Sequence, residues 1–107
     1  MILNDKLKLL SDGLASLGCP VHHYHRSRLE PPCIVWAEEG ANAQHADNGV
    51  AEQSPRGTLD YFTHDEFDPM VDSIQGKLQE LGIAWGLNSV QYEEDTDLIH
   101  YEWVWEV

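Results

Sequence analysis

Leucine residues recur near the start of the chain at steps of four and three positions, which is the spacing of one face of an α-helix. These residues are Leu3, Leu7, Leu10, Leu14 and Leu17. Gly18 and Pro20 come next, and both residue types favour the end of a helix. The pattern therefore predicts an amphipathic helix over the first 17 residues, with its leucine stripe against a core.

A second helix is predicted from its start and stop signals as well as its stripe. Asp68 is suited to cap the amino terminus and Pro69 to occupy the first helical position. Gly82 is suited to end the helix in a left-handed conformation. The apolar stripe between these signals consists of Met70, Val71, Ile74, Leu78 and Leu81.

Five segments alternate or carry the β-branched and aromatic residues typical of strands. They are VHHYHRSRL (21–29), CIVWAEE (33–39), RGTLDYFTH (56–64), AWGLNSVQYEE (84–94) and LIHYEWVWEV (98–107). The acidic turn EEDTD predicts a hairpin between the last two. The element order is α-β-β-β-α-β-β, and we predict an α+β fold in which two helices pack on one face of an antiparallel sheet. Residues 1–107 are expected to form a single domain.

The stretch AEEGANAQHADNGVAEQ, residues 37–53, separates the second and third predicted strands. Its small polar residues and its Asn48-Gly49 pair predict a long hairpin connection. His45 and Asp47 could belong to a catalytic or metal site, but no nucleophile or third ligand stands beside them. Because long loops are usually functional or disordered, we interpret this one as an assembly loop, mobile in the isolated subunit.

The charge is strongly negative and uneven. The chain has 19 acidic and 6 basic residues, a net charge of −13. Residues 1–50 carry 6 acids and 4 bases, a net −2, whereas residues 51–107 carry 13 acids and 2 bases, a net −11. Such a surface disfavours sequence-specific nucleic-acid binding because it repels phosphate. It is consistent with a solvated acidic surface or with the wall of a passage through which DNA slides.

Cys19 and Cys33 match no zinc-binding spacing and form no disulfide framework, so free intracellular thiols are expected. No apolar run approaches the roughly 20 residues that span a membrane. The first residues, MILNDKLKLLSDG, lack the pattern of a signal peptide. We therefore expect no membrane association and a cytoplasmic site of synthesis.

The histidines are the main candidates for metal chemistry. On an extended strand His23 and His25 share one face, about 6.6 Å apart, and could ligate zinc or nickel with a third ligand from elsewhere. No acid or cysteine stands at a familiar metal-binding spacing beside them, so the structural interpretation of the two histidines is preferred.

The other candidates for chemistry are weaker. Cys33 precedes an apolar strand and is interpreted as a core residue. No serine elbow, phosphate loop or dinucleotide motif is present. We expect no catalytic residues, no bound metal and no cofactor.

The terminal strand places its large residues on alternate positions. Tyr101, Trp103 and Trp105 point to one face, and His100 and Glu102 to the other. Three large aromatic side chains on one face favour a core against the helices. Because aromatic residues are also enriched at interfaces, part of this face is an alternative candidate for contact with a partner.

Taken together, these segments resemble a family of small prophage and tailed-phage proteins, the minor capsid or tail-completion proteins that look like tail terminators of long-tailed, non-contractile phages. The similarity lies in the leucine helix closing with LGCPV, the HYHR strand and the Pro-Pro break before CIVWAEEG. It continues in the Ala46-Asp47-Asn48 loop, the strand ending DYFT, the helix from Asp68-Pro69 to LGIAW, and the aromatic hairpin closing on EV. These short elements cover nearly the whole chain.

The resemblance implies a structural virion protein rather than an enzyme. Its members form a ring, expected to be hexameric, that caps the tail tube and joins it to the head connector, so the tube protein, the connector protein and further copies are the expected partners. The expected location is the virion, and the bacterial cytoplasm during assembly. An acidic surface lining the central channel of such a ring would let DNA pass, because it repels phosphate. The candidate assembly residues are His45, Ala46, Asp47, Asn48, Tyr101, Trp103 and Trp105. A head-tail connector or stopper subunit, a small host binding module and a metal-dependent enzyme remain the alternatives.

Overall fold

The computed structural model describes residues 2–24, 29–46 and 49–107. Within them lie two helices and five strands: α1 Leu3–Ala15, β1 Val21–His23, β2 Cys33–Ala46, β3 Gly49–Thr63, α2 Pro69–Glu80, β4 Ala84–Glu93 and β5 Leu98–Glu106. The predicted α+β class and the element order are both confirmed.

The strands form one sheet in the order β1-β2-β3-β5-β4. All neighbouring pairs are antiparallel except β1 and β2, which are parallel, so the sheet is mixed rather than purely antiparallel. Only three residues of the predicted first strand are paired, because Tyr24 adopts a positive φ of 67° that ends the strand. Residues 25–28 of that prediction lie outside the described residues.

One face of the sheet forms the core with the two helices. Leu10 and Leu14 of α1 and Ile74 and Leu78 of α2 are fully buried. The residues of the sheet that pack against them are Ile34, Trp36, Leu59, Tyr61, Trp103 and Trp105. Each large apolar side chain buried here contributes roughly 1.5–3 kcal/mol relative to exposure. The two stripes predicted from the helices thus supply the helical half of the core.

Helix α2 begins and ends as its local signals predict. The side chain of Asp68 accepts a hydrogen bond of 2.8 Å from the amide of Met70. At the other end Gly82 has a φ of 72°, and its amide donates to the carbonyl of Gln79 while that of Ile83 donates to Leu78. These two bonds form a Schellman motif, which satisfies the last carbonyls of the helix.

Asp68 also ties the helix to the sheet. Its carboxylate accepts hydrogen bonds from the hydroxyls of Tyr61, at 2.6 Å, and Thr63, at 2.7 Å. Burial raises the pKa of this carboxyl, but the hydrogen bonds from Tyr61, the Met70 amide and Thr63 outweigh it and lower the pKa below its ordinary value of 3.8. Burial, followed by the bond to Asp68, in turn raises the pKa of Tyr61.

Replacing Asp68 with alanine should cost about 1–2 kcal/mol in the free energy of unfolding at neutral pH, because the cap is lost. Since the folded pKa is lowered, the contribution of the charge is present above pH 3.8 and is lost as the pH falls through the folded value. Denaturant unfolding across this pH range measures both effects. Asp68→Asn is the matched control, because Oδ1 can still cap the helix while the charge and the acceptor for Tyr61 and Thr63 are lost. It should be less destabilised than Asp68→Ala and lack the acid dependence; an unchanged pH profile in that variant would contradict the assignment.

Candidate functional site

The most prominent feature outside the core is a two-stranded extension of β2 and β3. Strand β3 pairs with β5 only from Arg56 to Thr63, and β1 covers β2 only from Ile34 to Trp36. Residues 40–46 and 49–55, which we call the arm, pair across the hairpin from Ala41↔Pro55 to Ala46↔Gly49. At about 3.4 Å per residue, the arm extends roughly 20 Å beyond the sheet. It accounts for the elongated shape of 53 × 24 × 21 Å.

Helix α1 contacts the arm midway along its length, and the end of β5 contacts its base. The buried ammonium of Lys6 donates to the Glu52 carboxylate at 2.8 Å and to the carbonyl of Gln53 at 2.7 Å. The bond from Lys6 and its charge lower the pKa of Glu52. Pro55 is fully buried, and its carbonyl accepts from the amide of Val107 at 2.9 Å. The β3 side of the arm is therefore held from Pro55 to Glu52, whereas residues 41–45 on β2 are exposed.

The prediction of a loop over residues 37–53 is wrong for most of its length, since 37–46 and 49–53 belong to β2 and β3. His45 is exposed and lies opposite Val50, and Ala46 lies opposite Gly49. Asp47 and Asn48 lie outside the described residues. Small polar residues have weak β-propensity, so their composition indicated a loop. The hairpin that the Asn48-Gly49 pair predicted is present, although Gly49 is itself paired with Ala46 as the first residue of β3.

The aromatic residues of β5 belong to the core, which is the reading that the sequence favoured. Trp103 is fully buried, and its Nε1 donates to Gln75 Oε1 at 3.0 Å. Trp105 is 3% exposed, and its Nε1 donates to the carbonyl of Thr58 at 2.8 Å. Tyr101 is half-buried and stacks on Trp103. A partner could reach the two indoles only if the chain's own helices moved away.

An exposed apolar surface lies instead on the edge strand β4. Leu87, Val90 and Tyr92 are 47%, 52% and 59% exposed. They lie opposite Trp103, Tyr101 and Ile99 of β5, so they share the face on which the helices pack. We call these three residues the β4 patch. The β4 patch is a part of the core face that α1 and α2 do not cover. The sequence predicted the strand β4, but its pattern did not indicate that these apolar side chains would be exposed.

The histidines of the first strand are held by aromatic and carboxylate neighbours. The His23 ring stacks on Trp36 at 3.8 Å and on Tyr24 at 3.9 Å. Its Nε2 lies 2.7 Å from the Glu38 carboxylate, which also accepts from the Tyr24 hydroxyl. Although burial raises the pKa of Glu38, these hydrogen bonds lower it overall. His25, the residue that the sequence paired with His23, lies outside the described residues.

The two cysteines resemble structural thiols rather than reactive ones. Cys33 is fully buried at the start of β2, as predicted for a core residue, and both cysteines are free. Burial, followed by the proximity of Cys33 and Asp68, raises the pKa of Cys19 to about 11. A thiol with a raised pKa is a poor nucleophile at neutral pH because little thiolate is present.

A cluster that the sequence did not predict lies on the sheet face away from the helices. Asp60 of β3 pairs directly with Glu102 of β5, and His100 lies two residues from Glu102 on the same face. His100 Nε2 is 2.7 Å from Asp60 Oδ1. Burial raises the pKa of Asp60 most, and Glu102 and Glu39 add to the rise, while His100 opposes it. The alternation in β5 put His100 and Glu102 on one face, but only the pairing with β3 brings Asp60 to them.

The described part of the chain contains no helix long and apolar enough to span a membrane. No protein-family model matches the chain, and no curated protein is significantly similar to it.

Proposed function

We propose that the chain is a structural subunit of a phage or prophage virion, a tail terminator that forms a ring on the end of the tail tube and offers a surface to the head connector. The observation that carries the proposal is the arm. It is a long two-stranded extension in which residues 41–45, 49 and 52 are exposed, and such an extension is of use chiefly in contact with another molecule.

The energetics of the arm support an assembly role. A two-stranded hairpin is at best marginally stable in water, and three strands or a packed face are needed for independent stability. Residues 41–45 are exposed and pair with no third strand among the described residues. Their links to the rest of the domain include the hydrogen bond from Asn42 to Glu106 and, across the hairpin, the Lys6–Glu52 ion pair, and Ala, Asn and Gln are weak strand formers. A neighbouring subunit that packs on the arm would supply the missing face.

A ring also requires two different surfaces on each subunit, because a head-to-tail interface joins one patch to another. The arm and the β4 patch are two such surfaces, and they belong to different strand pairs of the sheet. Three exposed apolar side chains beside an unpaired strand edge are typical of a surface that another chain covers. A second copy of this chain is the occupant that a closed ring requires.

The charge is compatible with this role. The net −11 of residues 51–107 would repel DNA phosphates if part of it lined the ring. Genome DNA could then pass through the lumen without adhering. An assembled structure with a neutral or basic lumen would contradict this part of the proposal.

Deleting the gene from the phage or prophage that encodes the chain should give overlong tails without heads, because a tail terminator stops tube polymerisation. Electron microscopy of induced lysates measures tail length and head attachment. Tails of normal length together with detached full heads would instead indicate the connector or stopper alternative. Unaltered virions would contradict both virion roles.

A variant with a shortened arm tests whether the tip of the arm is needed for tail assembly. Gln44 and Glu52 are paired in register, so residues 45–51 can be replaced by Asn-Gly, a two-residue hairpin turn, without removing the Lys6–Glu52 ion pair. This variant should keep the thermal unfolding of the parent, because the deleted part is remote from the core, yet fail to restore tails of normal length. A matched control is Asp12→Ala on the exposed side of α1, which leaves the arm unchanged. Full complementation by the shortened chain would contradict an assembly role for the tip.

A further inference from the structure

We propose that Asp60, His100 and Glu102 bind a divalent transition-metal ion of the zinc type. One potential ligand atom from each side chain lies within 4.8 Å of the other two. Ligand bonds of about 2.0–2.2 Å to nitrogen and oxygen place the donors of a tetrahedral site about 3.3–3.6 Å apart. Side-chain rotations must therefore bring the most distant donors closer by about 1 Å and separate His100 Nε2 from Asp60 Oδ1, which are 2.7 Å apart, by somewhat less. The proposal is independent of the virion role.

The backbone holds the three ligands on a rigid support. Asp60 and Glu102 are direct partners in the β3–β5 ladder, and these are interior strands of the sheet. Directly paired residues have Cβ atoms about 4.5–5.5 Å apart. His100 follows on the same face of β5. A site on paired strands needs little ordering when the ion binds.

Neighbouring side chains orient two of the ligands. The Phe62 ring stacks on His100 at 4.4 Å with an angle of 20° between the planes, which restricts rotation of the imidazole. Asn88 Nδ2 donates to Glu102 Oε1 at 3.1 Å, which leaves Oε2 available to an ion. Residues that hold a metal ligand in this way commonly change the affinity by 10–100-fold when they are mutated.

The electrostatics favour a cation at this place. The side chains of His100 and Asp60 are only 19% and 21% exposed and Glu102 is half-buried, so two carboxylates share a partly desolvated position. Glu39 lies near enough to Asp60 to add to the negative potential. His100 Nε2 faces this pair of carboxylates, 2.7 Å from Asp60 Oδ1. A divalent ion would neutralise both carboxylates and bind neutral imidazole.

The ligand set selects the class of metal. One imidazole nitrogen and two carboxylate oxygens suit Zn²⁺, Co²⁺ or Ni²⁺, whereas Mg²⁺ and Ca²⁺ prefer oxygen ligands alone. Three protein ligands leave a fourth tetrahedral position for water. The competing arrangement is a metal-free ion pair between protonated His100 and Asp60, which has the same 2.7 Å contact.

Titration of the chelator-treated protein with Zn²⁺ and with Co²⁺ distinguishes the two arrangements. We expect one ion per chain by calorimetry, the visible absorption of tetrahedral Co²⁺, and no displacement by Mg²⁺ at equal concentration. His100→Ala and Glu102→Gln should each weaken binding by more than about 100-fold, and Asn88→Ala by about 10-fold. Circular dichroism establishes that each variant is folded, and Glu102→Gln provides a test if His100→Ala is not.

His23→Ala is the matched control, because His23 also lies beside a carboxylate but outside the cluster. It should bind Zn²⁺ as the parent does. Loss of binding in His23→Ala with retention in Glu102→Gln would overturn the assignment. So would the absence of stoichiometric binding, which would leave the ion pair as the role of these residues.

Discussion

Replacing Trp103 with alanine should lower the free energy of unfolding by about 3–5 kcal/mol, the usual cost of removing a buried tryptophan side chain. Trp103 is fully buried in β5, stacks on Tyr101 and donates to Gln75 of α2. The substitution therefore leaves a cavity between sheet and helices as well as an acceptor without its donor. Because small domains have a total stability of about 5–15 kcal/mol, much of the folded population would be lost on mild heating.

Urea unfolding followed by far-ultraviolet circular dichroism measures this effect. Val104→Ala is the matched control, since Val104 is the next residue of the same strand, points to the other face and is 45% exposed. Its effect should be within about 1 kcal/mol, because little apolar surface is removed from contact. Similar losses in the two variants would contradict the placement of Trp103 in the core.

Gly57→Ala is the second change with a large expected effect, and it acts through the backbone. A Cβ at this position would lie 1.9 Å from the carbonyl oxygen of Ala37 and 2.8 Å from the Cα of Glu38. Both atoms belong to the backbone of β2 and cannot rotate away. The paired strands would have to separate at the base of the arm, at a cost of about 3 kcal/mol or more.

The position of Gly57 links this cost to the arm. It pairs with Glu38, directly beside the register shift between Glu38 and Gly40, so the distortion would fall where the arm leaves the sheet. We expect a lower unfolding midpoint together with loss of complementation in the tail-length assay. Gly86→Ala is the matched control, because the nearest atom to its added Cβ is Val104 Cγ2 at 4.0 Å. Equal stability of the two variants would show that β2 and β3 are less closely apposed at Gly57.

The elements that the sequence predicted well are those with local signals. Asp68, Pro69 and Gly82 defined α2 almost to the residue, since capping bonds form within one turn of the helix. The leucine period predicted α1, although its last turn ends at Ala15, before Leu17. The turn EEDTD predicted the β4–β5 hairpin, because the two strands are neighbours in the chain.

The arm shows where composition misled the prediction. Its strand pairing depends on backbone hydrogen bonds and on the register set by β2 and β3, neither of which small polar side chains reveal. The parallel pairing of β1 could not be predicted for a similar reason, because a strand of three residues carries too little pattern to fix its direction. The position of β1 in the sheet depends on which edge of β2 is free to pair with it.

The sequence by itself determined the α+β class, the order of the elements, the helix ends and the strongly acidic character, because each follows from local patterns or from counting residues. Only the tertiary structure decided the rest. The β4 patch is left uncovered, the arm extends beyond the sheet, and Asp60 lies beside His100 and Glu102, 40 and 42 residues away in the chain. These features depend on the order and register of strands distant in sequence, and that information lies in pairwise packing rather than in any single segment.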